Sequence, residues 1–266
     1  MDLVDVHSHL DDNRFKEDLD EVIERARKAG VKFIITSGVN PSTNRRSLEI
    51  MERYSDVVKV SFGVYPIDAI IEKIKDAGEE SDLRYVEEFN VDDELRWIEE
   101  NKDKCVAIGE CGLDYKVVEG YNEEQKKVFA KVIELSKKID KPLVIHSRKA
   151  ELDAIDIMEE MNCKKVLMHC FNGKKSLIKR CVDLGWSFSV PPVIVRLEHF
   201  KMLVKIVPLE QLMTETDAPY LSPVAGEKNE SANVSVTIKE IAQIKEMSEE
   251  EVAKQIFENA KEMFGL

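Results

Sequence analysis

Aromatic side chains make up only 7% of the 266 residues, and glycine and proline number just 11 and 8. Such a composition excludes collagen-like, low-complexity and proline-rich linker architectures. Cysteine occurs five times, at positions 105, 111, 163, 170 and 181, an odd count with no CxxC pair. Neither a disulfide framework nor a cysteine-rich zinc module is therefore expected, and buried apolar thiols are the simplest reading. No run approaches the roughly 18 apolar residues of a membrane span. The first residues lead straight into a strand-like segment with no basic and apolar leader, so a cytoplasmic location without membrane association is expected. Cations are scarce as well. Lys and Arg total 39 against 52 Asp and Glu, a formal net charge of −13. Proteins that hold nucleic acid by neutralising many phosphates are usually basic. A phosphate-bearing substrate would here have to be held by local cations or by metal. Nothing in the sequence calls for a protein partner.

What is present is an alternation of short apolar runs and amphipathic segments. "LVDVH" (3–7), "KFIITSGV" (32–39), "VVKVSFGV" (57–64), "CVAIGE" (105–110), "PLVIH" (142–146), "KVLMHC" (165–170), "GWSFSV" (185–190) and "QLMTETD" (211–217) have strand character. Between them lie helical patterns. Phe15, Leu19, Val22, Ile23 and Ala26 share one face of segment 14–30, which Gly30 ends. Asn40 and Pro41 look like a cap and first-turn proline, and Asn122 and Gln125 stand at capping-box spacing for a helix over 122–139. Two amphipathic segments, 234–246 and 248–264, close the chain. Eight strands with intervening helices fit one distorted (β/α)8 TIM barrel over 1–266. An open doubly wound sheet is the alternative, though no glycine-rich phosphate loop follows the first strand. The connection 65–104 is long and acidic, with eight carboxylates between Glu79 and Glu94 against the single Arg84. It reads as an insertion with a solvated face. Because it leaves the C-terminal end of strand three, it would also sit near a site on that rim and repel long nucleic acids.

Only five histidines occur, and four fall at predicted strand ends: His7, His9, His146 and His169. Glu110 is expected to end strand four and Asp217 strand eight. Singly, each is an ordinary polar residue. Together they would converge on the C-terminal rim where barrel enzymes build their sites. Alternate residues of an extended chain share a face, so His7 and His9 can approach one ion while Ser8 turns away. Four imidazoles and two carboxylates exceed the needs of one four-coordinate ion. They suit two divalent ions (Mg, Zn or Mn) with a bridging carboxylate and water. The fifth histidine, His199, lies outside this set and reads as structural or surface.

"DVHSHL", "AIGECGLDY" (107–115), "VIHSR" (144–148), "MHCFNG" (168–173) and "ETDAPYLSP" (215–223) together resemble the TatD family of metal-dependent deoxyribonucleases, among the amidohydrolase-like barrels. The resemblance implies His7, His9 and Asp217 on one ion, His146 and His169 on the other, and Glu110 bridging, where related amidohydrolases often use a modified lysine. It implies 3'-5' exonucleolytic hydrolysis of DNA ends by a metal-bound hydroxide, with Asp217 taking the water's proton. Arg148 is expected to pair with a phosphate, with Lys174 as a weaker candidate. Asn229, with Glu230, resembles the family's Asn-Glu pair after strand eight, which is expected to brace the rim, and Asn229 also joins the substrate-side candidates. One departure stands out: the family's Gly-x-His-Pro-His segment reads "GVYPID" here, so Tyr65 and Ile67 replace two histidines. A phenol donates a hydrogen bond but is a poor proton shuttle at neutral pH. The alternative activity is therefore hydrolysis of a small cyclic amide, lactone or ester. A binding protein with a structural metal is a third option, disfavoured by the cysteine-free, open ligand set.

Overall fold

The computed structural model describes residues 1–78 and 86–266. Eight strands, β1 (Leu3–Ser8), β2 (Val31–Ser37), β3 (Val58–Val64), β4 (Ala107–Asp114), β5 (Leu143–Arg148), β6 (Val166–Met168), β7 (Ser187–Val190) and β8 (Leu212–Thr214), form one sheet in chain order. All neighbouring pairs are parallel. The sheet closes through the parallel bridge Ser8–Ala218, reinforced by Asp217 N donating to His7 O at 2.9 Å. This is the expected (β/α)8 barrel, and the open-sheet alternative falls. β6 and β8 have only three residues each, which is one source of its distortion. Barrel strands are covered on both sides, which is why they read as nearly unbroken apolar runs.

Around the barrel stand α1 (Leu19–Ala29), α2 (Pro41–Arg53), α3 (Ile71–Asp76), α4 (Val91–Glu100), α5 (Asn122–Ile139), α6 (Glu151–Glu160), α7 (Lys175–Asp183), α8 (Glu198–Ile206), α9 (Val234–Lys245) and α10 (Glu249–Phe264). No helix among the described residues is long and apolar enough to cross a membrane. α2 begins as its sequence implies: Asn40 accepts from Thr43 N, Thr43 Oγ1 accepts from Asn40 N, and Pro41 fills the first turn.

Several boundaries differ from the sequence pattern. α1 starts at Leu19, because Asp12 caps a separate 3-10 turn at Asn13–Phe15. Phe15 there packs with Val22 and Ala218. Asn122 and Gln125 form no capping box. The buried Gln125 accepts from Asp114 N at 2.7 Å and donates to Asp114 O at 2.8 Å, pinning the end of β4. β4 runs on to Asp114, so Glu110 lies inside the strand and does not end it. The acidic connection is not a uniformly solvated face. Glu79, Glu80, Asp82 and Arg84 lie outside the described residues. Beyond them, Glu94 is buried and ion-paired with Arg45, whose guanidinium sits 3.7 Å over the Trp97 ring. Glu88 and Asp92 pair with Lys75 and Lys131. His199 is structural as expected, its Nε2 2.9 Å from Phe171 O.

Asn44 joins these parts. Its amide donates to Gly63 O at 2.9 Å and to Glu94 Oε1 at 2.7 Å, and its Oδ1 accepts from Gly63 N at 3.0 Å. It thus ties the end of β3 to α2 and α4. Asn44→Ala should cost about 2–4 kcal/mol in urea unfolding, since it strands buried polar groups of Gly63 and Glu94. A loss below about 0.5 kcal/mol would contradict this role.

Candidate metal centre

Strand geometry carries the ligands to one place. His7 is buried in β1, and Ser8 turns away to donate to Ile35 O at 3.2 Å, so His9 falls on the face of His7. β4 shifts register between Ile108 and Cys111 against β5, and β3 shows the matching shift. Such an irregularity re-aims a side chain, and here it turns Glu110 into the barrel mouth. Glycines make the room: a Cβ on Gly63 would lie 2.3 Å from Glu110 N, and one on Gly112 2.0 Å from His146 O. His146 lies in β5, His169 follows β6 directly, and Asp217 lies three residues past β8 at φ 53°, held by its bond to His7 O.

The two oxygens of Glu110 face different histidines, and the groups that could hold an ion among the described residues are His7 with His9 and Asp217, and His7 with Glu110 and His169. On one side, His7 Nε2 and His9 Nε2 are 3.3 Å apart, and His9 Nε2 is 3.3 Å from Glu110 Oε2 and 3.4 Å from Asp217 Oδ1. His7 Nε2 is 3.6 Å from each of those oxygens. Donors set tetrahedrally 2.0–2.2 Å from a shared ion are about 1.63 bond lengths apart, roughly 3.3–3.6 Å. Every one of these spacings fits. On the other side, Glu110 Oε1 lies 2.8 Å from His146 Nδ1 and 3.9 Å from His169 Nε2.

A second layer fixes which ring nitrogen faces inward. His9 Nδ1 is 2.9 Å from Ser37 O and His169 Nδ1 is 2.7 Å from Glu215 Oε2. Both partners only accept, so each Nδ1 keeps its hydrogen and Nε2 is the atom turned to the centre. His7 also turns Nε2 inward, and its Nδ1 is 3.1 Å from Ser37 Oγ, a hydroxyl able to donate or accept. His146 is reversed: its Nε2 is 2.9 Å from Asp114 Oδ2, and Nδ1 faces Glu110. A nitrogen-oxygen donor set without cysteine, buried at His7, Glu110 and His169 and half-buried at His9, His146 and Asp217, with its outer partners in place, fits a divalent ion.

A family model described as "TatD related DNase" matches residues 4–265. The chain belongs to the TatD-related deoxyribonuclease family. Deoxyribonuclease TATDN3 of Homo sapiens is 35% identical over 98% of this chain and 94% of its own length. The metal-dependent hydrolase YabD of Bacillus subtilis is 36% identical over 99% of each. The 3'-5' ssDNA/RNA exonuclease TatD of Pantoea ananatis is 27% identical over 99% of this chain and all of its own. Among solved structures, a TatD family hydrolase from Entamoeba histolytica superposes with a TM-score of 0.83 at 23% identity, covering 99% of this chain and 98% of that one. That likeness concerns the fold. The chain is a metal-dependent hydrolase of the TatD family.

Charge in this TatD centre is strongly coupled. Burial works against the charged form of every ligand, but the carboxylates outweigh it at His9 and His146, which rise above the ordinary histidine value. His169 is likewise lifted to about 9, through Glu215, Asp217 and Glu110. His7 falls, from burial and then from His169, whose ring stacks on it at 3.8 Å. Glu110 and Asp217 drop below the usual carboxylate range despite burial, because the histidines surround them. Burial pushes Asp5 up to about 7.

The substrate-side candidates divide. Arg148 and Tyr65 line a cavity of about 690 Å³ over the ligands. Tyr65 Oη donates to Asp114 Oδ2 at 2.8 Å. Lys174 is exposed at the N-cap position of α7, where its side chain makes no capping bond, and it does not line that cavity, whereas Asn172 does. Asn229 is fully buried and reaches no substrate space: its amide donates to Thr216 O at 2.8 Å, bracing the Asp217 loop. Glu230 pairs with Arg25. Sequence reasoning passed over Asp5, Ser37, Asp114 and Glu215. Asp5 accepts from Thr216 N at 2.9 Å and Thr216 Oγ1 at 2.6 Å, locking β1 to the Asp217 loop. The signal was spacing: Asp5 stands two residues before His7, and Glu215 two before Asp217.

Metal must displace the proton that His169 otherwise holds below about pH 9. Calorimetry at pH 7 in buffers of different ionisation enthalpy should show net proton release on zinc or manganese binding, with affinity rising towards pH 9. For the chelated protein the sign reverses. A histidine raised from 6.5 to about 9 stabilises fully below pH 6.5, and that contribution is lost between 6.5 and 9. Its Tm should therefore fall across that window. Proton-neutral binding with a flat Tm would contradict this electrostatic account.

Proposed function

We propose that this chain hydrolyses phosphodiester bonds at the 3' end of single-stranded DNA, using two divalent ions. The carrying observation is the split of Glu110, with Oε2 among His7, His9 and Asp217 and Oε1 among His146 and His169. One ion would be held by His7, His9 and Asp217, the other by His146 and His169, with Glu110 shared. Bound there, the ions would stabilise phosphoryl charge and lower the pKa of an attacking water from about 15.7. Asp217, whose Oδ1 faces His7 and His9, would take up the proton of the attacking water on its second oxygen. Arg148 at the cavity wall pairs with a non-bridging phosphate oxygen. Asp114 holds the His146 ring, with Tyr65 hydrogen-bonded to Asp114 in the place of a proton shuttle. The end-directed polarity rests on likeness to the Pantoea ananatis relative, whose name is that of a 3'-5' exonuclease. A second option, a small lactone or ester, draws on the apolar wall of Val39, Ile67, Ile71 and Val117 in the same cavity.

Metal-loaded protein should degrade single-stranded DNA carrying a free 3' end faster than the same strand blocked at that end, and faster than any lactone of a panel. Glu110→Ala should lower kcat at least about a thousandfold and reduce bound metal below two per chain. Lactone turnover without DNA cleavage would move the function to the second option.

With a net charge of −13 the protein has no general positive field, so few phosphates are neutralised. Log KM for DNA against log salt should have a slope of about 1, the value for one or two phosphate contacts. A slope near 5 would show an extended basic track and contradict this account.

A further inference from the structure

The site accounts for the ligands and Arg148, but not for the large aromatic at its mouth. Tyr220 is 47% exposed and lines the cavity. Its ring meets His9 edge-on, with centroids 6.4 Å apart at 80°. One face is covered by the guanidinium of Arg14, 4.1 Å from the ring centroid. Asp12 pairs with Arg14 there through a fork, Nε to Oδ1 at 2.9 Å and Nη2 to Oδ2 at 2.8 Å. The carboxylate takes one edge of the guanidinium and holds the cation over the ring, which makes Arg14 a support for it. What remains of the ring is flat, rigid apolar surface turned to the cavity. An exposed tyrosine contributes little to a core that Phe62, Phe129, Phe171, Phe188 and Phe200 already fill.

We propose that Tyr220, braced by Arg14 and Asp12, is the stacking platform for a nucleobase of the substrate next to the scissile phosphate. The inference rests on the nuclease reading and adds the group that holds the base. Stacking tolerates any base, since each has a π face. It supplies affinity without positive charge, which an acidic protein with few phosphate contacts requires. A cation on the far face draws electron density from the phenol ring and favours contact with electron-rich bases.

Paired deletions test it on the metal-loaded protein. Tyr220 is replaced by Ala or Phe, and oligonucleotides carry an abasic residue at one of the last three positions. Tyr220→Ala should raise KM for intact DNA roughly tenfold with kcat within about twofold, while Tyr220→Phe stays near wild type. On the oligonucleotide lacking the stacked base, wild type and Tyr220→Ala should have equal KM. The same Tyr220→Ala penalty at all abasic positions would make Tyr220 a prop for the Asp217 loop and overturn the proposal, as would a loss confined to kcat or metal content. DNA cleavage with KM unchanged in Tyr220→Ala overturns stacking alone. No cleavage by the wild type overturns the nuclease reading, and this inference with it.

Discussion

Glu110 is a carboxylate buried among four histidines and made to face two ways. In isolation such a group would pick up a proton, since burial alone raises its pKa. It stays ionised because His146, His7 and His9 lie around it. Those histidines are in turn held basic or neutral by their own partners. The barrel makes this possible: a register shift in β4 aims the side chain, and Gly63 and Gly112 let the flanking strands close around it. Without an ion the centre is a set of mutually dependent charges, and proton and metal compete for the same nitrogen atoms.

The outer partners are as specific as the ligands. Ser37 supplies its carbonyl to His9 and its hydroxyl to His7, so one residue of β2 sets two rings. Glu215 binds His169, Cys170 N and Ser189, fixing the turn after β6. Asp5 and Asn229 both grip Thr216, one through its amide nitrogen and hydroxyl and the other through its carbonyl. Asp217 therefore hangs from a loop anchored on both sides. Lost preorganisation here would be felt as weaker metal affinity, because outer-layer changes commonly cost ten- to a hundredfold.

Much of this was legible in the sequence, for physical reasons. Period-two spacing put His7 and His9 on one face, and the βα alternation put every strand end on one rim, so the six ligand candidates could be named before their neighbours were known. The αβ punctuation at Asn40, Pro41 and Gly30 was equally readable, since capping is local. What the sequence hid was non-local. Gln125 has capping-box spacing yet spends its amide on Asp114 eleven residues away, and Glu94 sits in an acidic run yet is buried against Arg45. Asn229 was expected both to brace the rim and to stand with the substrate, and the fold uses it only for the first, holding the Asp217 loop through Thr216 O. Tyr220 carried no charge or ligand atom, so only its exposure at the cavity mouth gave it a role.

The central claim is that one carboxylate bridges two cations at this rim. Anomalous diffraction from crystals of the full chain grown with manganese tests it most directly. The account predicts two peaks about 3.5–4 Å apart, one beside His7, His9 and Asp217 and one beside His146 and His169, with Glu110 between them. A single peak, or two peaks of which Glu110 contacts at most one, would contradict it.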